Sequence, residues 1–303
     1  MPEIRNILYT TDFSDSAEAA FPYAVALAEL TGARLHLLHA VTPHDYDPQS
    51  DTAAMDSIAR VFESLEKRAE EEFGARQGVC RHRRVDHVSV IRRGFNVAGI
   101  IQDYIAENAV DLLVMSTHGR GGLGHVLFGS VAEAVLRRCL CPAWLAKRDA
   151  RQCVDPAESC LQPRRILIPT DLSANSARAL PWARWLQAEC GAEIHLLHVV
   201  EARFHPAYYA GGTESLFEID PEARGRIQER VWEAFGLTPQ ERASIPVHLV
   251  EGNPPRAIVE HAEAHGVDLV IMSNNGYDEI EDYFVGSTTE RVIRRGQWPV
   301  LVV

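Results

Sequence analysis

Short apolar runs alternate along the chain with longer stretches whose apolar side chains recur on one face. Ile4 to Tyr9 reads as a buried strand, Thr10-Thr11-Asp12 as a turn, and Ser14-Asp15-Ser16 as helix-capping residues. The pattern predicts a helix from Ala17 to Leu30, stopped at Thr31-Gly32, because glycine is the usual residue past a helix end. Leu35 to Val41 is the next strand. After Pro43 a polar stretch, His44 to Asp51, leads into a long helical pattern from Ala53 to Gln77. Val85 to Ile91 makes strand three. Gly94 then turns the chain into a helix that places Val97, Ile100, Ile101, Tyr104 and Ile105 on one face. Val110 to Met115 is strand four, a glycine-rich loop follows, Ser130 to Arg138 is helical, and Pro142 to Ala146 is strand five.

The same pattern then starts again. ILYTTDFSDSA at Ile7 returns as ILIPTDLSANSA at Ile166, LHLLHAV at Leu35 as IHLLHVV at Ile194, and VDLLVMS at Val110 as VDLVIMS at Val267. In each copy a glycine precedes Gly-Ser by nine residues: Gly119 before Gly129-Ser130, and Gly276 before Gly286-Ser287. Landmarks that stay in step over a whole copy indicate two complete domains and not a short solenoid repeat. The expected domains are 1–148 and 164–303, joined by a linker of mixed charge from Arg148 to Pro163.

Strands alternating with helices require a parallel sheet covered on both faces, since parallel neighbours need a crossover. Each copy is therefore expected to be α/β, a doubly wound five-stranded parallel sheet. Ligands of such sheets bind at the carboxyl ends of strands where the winding reverses. Two turn-rich segments, Thr10-Thr11-Asp12 and Ser116 to Ser130, follow strands one and four. If they line one crevice, those strands are neighbours and the order is 3-2-1-4-5.

At 303 residues the chain gives each copy enough length for its own core. A net charge of −12 disfavours non-specific binding to nucleic acid or anionic lipid. No apolar run approaches the roughly 20 residues needed to span a bilayer. The segment MPEIRNILYTTD lacks the parts of a secretion signal, so cytoplasm is the expected location. The six cysteines, Cys80, Cys139, Cys141, Cys153, Cys160 and Cys190, show no CxxC pair of the zinc type and read as reduced thiols.

The chemistry concentrates in Ser116-Thr117-His118-Gly119-Arg120-Gly121-Gly122-Leu123-Gly124, which runs on to Gly129-Ser130 at a helix start. Glycines let backbone N–H groups approach an oxyanion, and a helix N-terminus adds a favourable dipole. Ser130 can donate its hydroxyl to a phosphate oxygen, and Arg120 can supply charge. The segment is neither a Walker A loop nor a dinucleotide fingerprint. A loop that only turns the chain is the competing reading.

On strand-TDFS, LLHAV, MSTHGRGGL with its nine-residue spacing to Gly129-Ser130, and Cys141-Pro142, the chain resembles the universal stress protein family over both copies. The resemblance implies an adenine-nucleotide alpha-hydrolase-like fold and ATP as ligand; Mg²⁺ is a companion ion that the sequence allows without demanding. Nucleotide-binding members carry Gly, two residues, Gly, nine residues, Gly-Ser/Thr after strand four; here Ser116 stands at the first glycine. The resemblance implies that Thr10, Thr11 and Asp12 line the nucleoside end, with Ala40 beside the adenine. Met115, Ser116, His118 and Arg120 belong to the implied site, and Gly119, Gly129, Ser130 and Val131 would cradle the phosphates. Family members commonly dimerise through the last strand. Here the edges Pro142 to Ala146 and Pro299 to Val303 could pair inside one chain as a pseudo-dimer or between two chains.

The second copy departs at the loop, where Tyr277-Asp278-Glu279 replaces Arg120-Gly121-Gly122 and Glu281 and Asp282 follow. Unit charges at 4 Å interact by about 4 kcal/mol at an effective dielectric of 20. Four carboxylates facing a triphosphate are therefore expected to weaken or abolish binding there.

No GxSxG elbow turns Asp12, His118 and Ser130 into a hydrolytic triad, and no general base is aimed at a water, so any ATP turnover is expected to be slow. His39 and His198 recur in both copies and are expected to be hydrogen-bonded core histidines. His36 and His39 point to opposite faces of a strand, and Cys80, His82 and His87 beside Arg81 to Arg84 read as a solvated edge, so no metal site is expected. Tyr208-Tyr209-Ala210-Gly211-Gly212 reads as a surface loop, with a lid or partner surface as alternatives. The expected role is an ATP-binding stress-response or regulatory factor; the rival is an interaction scaffold that binds no nucleotide. An oxidoreductase or metal-dependent enzyme is the weaker third reading.

Overall fold

The computed structural model describes residues 2–42, 54–117, 129–138, 140–155, 160–201, 215–274 and 286–303, with side chains omitted for 54–58. The chain divides into two compact units, one comprising Glu3–Asp149 with Val154–Leu161, the other Gln162–Val303 with Met1–Pro2 and Ala150–Cys153.

The first unit runs β1 (Asn6–Thr10), α1 (Asp15–Glu18), α2 (Phe21–Thr31), β2 (Arg34–Val41), α3 (Ala54–His82), β3 (His87–Arg93), α4 (Val97–Glu107), β4 (Leu112–Ser116), α5 (Ser130–Leu136) and β5 (Ala143–Ala146). Its strands are parallel in the order β3-β2-β1-β4-β5, as the sequence predicts. β1 and β4 are fully buried apart from Asn6, as a parallel strand covered on both faces requires.

A two-residue antiparallel pair, β6 (Val154–Asp155) with β7 (Cys160–Leu161), occupies the expected linker. The second unit runs β8 (Arg165–Thr170), α6 (Ala174–Ala177), α7 (Ala179–Cys190), β9 (Glu193–Val200), α8 (Leu216–Ile219), α9 (Ala223–Ala234), α10 (Pro239–Ser244), β10 (Val247–Glu251), α11 (Pro254–Ala264), β11 (Leu269–Met272), α12 (Ser287–Arg295) and β12 (Val300–Val302). Its order, β10-β9-β8-β11-β12, repeats the first.

The helix expected from Ala17 to Leu30 is two helices. Pro22 lacks an N–H and would crowd the carbonyl four residues back, so the chain breaks at Ala19-Ala20 and restarts with proline in its first turn. Pro181 accompanies the same break between α6 and α7. Gly32 and Gly191 end α2 and α7 at φ 68° and 72°, the left-handed conformation glycine adopts without strain.

One device recurs at the start of both sheets. The Asp111 carboxylate accepts the N–H groups of Arg5 and Asn6 at 2.8 and 2.9 Å through one oxygen. Asp268 accepts those of Arg164 and Arg165, both at 3.0 Å. Each aspartate, set just ahead of the fourth strand, pins the entry of the first. Asp111→Ala is expected to cost about 1–2 kcal/mol, because two charge-assisted bonds to partly exposed amides are lost. Urea unfolding measures the loss, and hydrogen exchange at Arg5 and Asn6 locates it.

Candidate functional site

The winding of the first unit reverses between β1 and β4, which pair from Ile7–Leu112 to Tyr9–Val114. Their carboxyl ends therefore carry Thr10-Thr11-Asp12 and Met115-Ser116-Thr117 to the two sides of one crevice, the place where open α/β sheets take ligands. Thr10, Thr11, Met115 and Ser116 are buried, Asp12 is half-buried, and Thr117 is only 1% exposed. Ala40 lies two residues beyond Leu38, the β2 partner of Thr10, and is half-buried.

Local bonding fixes this turn. The Thr11 N–H donates to the Leu38 carbonyl at 3.0 Å, and the Thr11 carbonyl accepts His39 Nδ1–H at 2.7 Å. The Thr11 hydroxyl oxygen accepts the Phe13 N–H at 2.9 Å. Phe13 sits at φ 60°, a left-handed conformation a bulky side chain seldom adopts. Asp12 Oδ1 accepts the Ser14 N–H at 3.0 Å and its hydroxyl at 2.6 Å, and Ser14 caps α1 by accepting the Ala17 N–H.

The groups packed against Phe13 escape a reading by motif, as does Lys147 at the end of β5. The Phe13 ring lies 4.4 Å from that of His39 and 5.2 Å, edge-on, from Phe73 of α3. The Arg76 guanidinium stands over Phe13 at 4.7 Å and is tied to Glu18 at the end of α1. Lys147 follows β5 directly, and burial lowers its amine to about 8.

The base of the glycine-rich loop is closed by backbone bonds. The Thr117 N–H donates to the Ala146 carbonyl at 3.0 Å, and the Gly129 N–H donates to the Thr117 carbonyl at 2.8 Å. Gly129 is the N-cap of α5 without a side chain to satisfy its amides, Ser130 is exposed at the first helical position, and Val131 is half-buried. The structure thus brings Thr10, Thr11, Asp12, Met115, Ser116, Gly129, Ser130 and Val131 to one end of the sheet. His118, Gly119 and Arg120 lie outside the described residues.

The second unit repeats the frame. The Thr170 carbonyl accepts His198 Nδ1–H at 2.8 Å, Thr170 Oγ1 accepts the Leu172 N–H at 3.0 Å, and Leu172 has φ 67°. Both recurring histidines are hydrogen-bonded as expected, but each is half-buried and not part of the core. The Asn274 N–H donates to the Val303 carbonyl at 3.1 Å, and the Gly286 N–H to the Asn274 carbonyl at 2.7 Å. Two loops of unlike charge therefore spring from one anchor geometry. Gly276 and the acidic run Asp278, Glu279, Glu281 and Asp282 lie outside the described residues, as does Tyr208 to Gly212.

Among the described residues no helix is long and apolar enough to cross a membrane. Compared with known proteins, residues 3–147 and again 163–303 match the model of the universal stress protein family. The universal stress protein MJ0577 of Methanocaldococcus jannaschii is 30% identical over 152 residues, covering 46% of this chain and 94% of its own. The universal stress protein Slr1230 of Synechocystis sp. is 21% identical over 98% of this chain and 99% of its own length. A universal stress protein from Archaeoglobus fulgidus superposes with a TM-score of 0.63 at 22% identity, covering 98% of this chain and 95% of its own, a likeness of fold.

Proposed function

Because the chain belongs to the universal stress protein family, we propose that its N-terminal domain binds ATP in the β1/β4 crevice. The nucleotide acts there as a bound ligand that sets conformation or partner choice in a cytoplasmic stress or regulatory response. What carries this reading is the convergence of Thr11-Asp12, Ser116-Thr117 and Gly129-Ser130 at one switch point, with the loop base closed from Thr117 to Gly129. Thr10, Thr11, Asp12 and Ala40 serve the nucleoside, with Met115 and Ser116 along the wall. His118, Gly119, Arg120, Gly129, Ser130 and Val131 serve the phosphates, and Mg²⁺ is the ion such phosphates would bring.

The second domain keeps the anchors and changes the charge, so it binds ATP weakly or not at all. The rival reading, a scaffold without nucleotide, draws on Ser116, whose buried side chain stands where nucleotide-binding members carry glycine.

Denaturing the purified chain and chromatographing the supernatant tests the proposal. It expects adenine nucleotide at about one per chain, as a ligand held well below its cellular concentration would be retained. A clean supernatant together with failed titration by ATP, with and without Mg²⁺, favours the scaffold.

A further inference from the structure

At the opposite end of the second domain from its crevice, four histidines meet. His195 lies near the start of β9 and His248 near the start of β10; His261 is in the last turn of α11 and His265 at its C-cap. One ring nitrogen from each of His248, His261 and His265 lies within 4.8 Å of the others. His195 Nδ1 is 2.9 Å from His248 Nε2, and their rings stack at 6°. We propose that His248, His261 and His265 bind a divalent transition-metal ion of the zinc, cobalt or nickel class, with His195 as the positioning residue behind His248.

The ligand chemistry supports that class. Imidazole nitrogens suit zinc, nickel and copper, whereas magnesium and calcium take oxygen ligands. Zn–N distances of about 2.0–2.1 Å place tetrahedral ligand nitrogens roughly 3.4 Å apart. The present spacing of up to 4.8 Å closes to that value only if the His261 and His265 rings, now stacked with centroids 3.9 Å apart, turn towards a common ion, and three protein ligands leave a fourth position for water.

The hydrogen bonds around the cluster leave His248 and His265 each with one ring nitrogen whose lone pair is uncommitted. His265 Nδ1–H donates to the His261 carbonyl at 2.8 Å, which leaves Nε2 of His265 with its lone pair. The Glu193 carboxylate lies 3.6 Å from His195 Nε2 and favours a proton there. His195 Nδ1 then accepts from His248 Nε2–H, and Nδ1 of His248 keeps its lone pair. An acidic group behind a histidine that orients a ligand is a common outer shell of metal sites. The opposing charge is Arg165, whose guanidinium bonds the His265 carbonyl and lies 3.5 Å from Glu193. His261 is buried, His248 half-buried and His265 exposed, which gives the ion an entry.

The first domain shows what this place looks like without ligands. By strand register Val90 corresponds to His248, and along the helix Tyr104 corresponds to His261 and Asn108 to His265; only His36 matches, at His195. There His36 Nδ1 pairs with the Tyr104 hydroxyl at 2.8 Å, and Asn108 donates to the Tyr104 carbonyl at 3.0 Å. Three positions have diverged to histidine in one copy. The site does not depend on the nucleotide reading.

The test is titration of the full, metal-stripped chain with Zn²⁺ by calorimetry, and with Co²⁺ by visible absorption. One Zn²⁺ per chain and the intense d–d bands of tetrahedral cobalt are expected, with no response to Mg²⁺. His261→Tyr/His265→Asn, which restores the first copy's residues, is expected to weaken Zn²⁺ binding about a hundredfold or more. His265→Asn alone changes an exposed helix-end residue and guards against a variant that fails to fold. Glu193→Gln is expected to cost about tenfold. No saturable Zn²⁺ binding, or equal binding by His265→Asn and the parent chain, overturns the proposal.

Discussion

Ser130→Asp is expected to lower the ATP affinity of the full chain tenfold or more while leaving the N-terminal domain at least as stable. Ser130 is exposed at the first position of α5, where a carboxylate favours the helix by about 0.3–1 kcal/mol. The same carboxylate would face the phosphate chain. At 4 Å and an effective dielectric of 20 the repulsion is about 4 kcal/mol. Solvent and salt reduce it, yet about 1.4 kcal/mol is already tenfold. Stability and binding thus move in opposite directions, which a merely damaged fold cannot imitate.

The second copy supplies the control. Ser287 is likewise exposed and opens α12, so Ser287→Asp makes the same change in the same frame. Because the proposal gives that domain, whose loop sequence carries Asp278, Glu279, Glu281 and Asp282, little or no ATP to lose, binding by the full chain is expected to be unchanged. Calorimetric titration of the two variants and the parent decides the matter. If Ser287→Asp loses the nucleotide and Ser130→Asp keeps it, the two domains have been assigned in the wrong order. If neither changes, ATP does not sit at these helix starts.

The sheet order was legible because the chain states its pattern twice and because the two turn-rich segments must meet at a switch point. The ends of elements were less so. The helical pattern ends at Gln77, yet α3 runs through Gly78 to His82, since burying Cys80 outweighs the cost of about 1 kcal/mol for a glycine within a helix. Cys80 is fully buried, and burial raises its thiol to about 11, so part of the run read as a solvated edge faces the core.

Sequence spacing also led to the Thr11-Asp12 turn, while its support, Phe73 and Arg76, lies on a helix that no motif connects to it. The histidine cluster leaves no motif for the same reason. Its members come from two strands and one helix, and only His261 and His265, four apart on α11, leave a local trace.

The support behind the turn carries the largest expected change in stability. Arg76 is 7% exposed at its side chain and meets Glu18, 42% exposed, through Nε at 2.8 Å and through a second, shorter contact. Its other nitrogen reaches the Glu72 carbonyl and carboxylate. The buried Tyr9 hydroxyl donates to the Ala17 carbonyl at 3.1 Å, and burial holds its phenol above the ordinary range, so it remains a donor beside this pair. Glu18→Ala leaves a buried guanidinium with the partly exposed Glu72 as its one counter-charge among the described residues. Breaking one side of a buried pair costs about 3–5 kcal/mol, and Glu72 brings the expectation down to about 2–3. Arg76→Met together with Glu18→Ala removes the stranded charge and is expected to recover most of that loss. Hydrogen exchange at the Phe13 and Ser14 amides reads the effect where it matters, since Arg76 stacks on Phe13 and Phe13 follows Asp12. Fast exchange in Glu18→Ala that slows again in the double variant is the expected result. Equal exchange in the single and double variants would mean that the ion pair does not hold the Thr11-Asp12 turn in place.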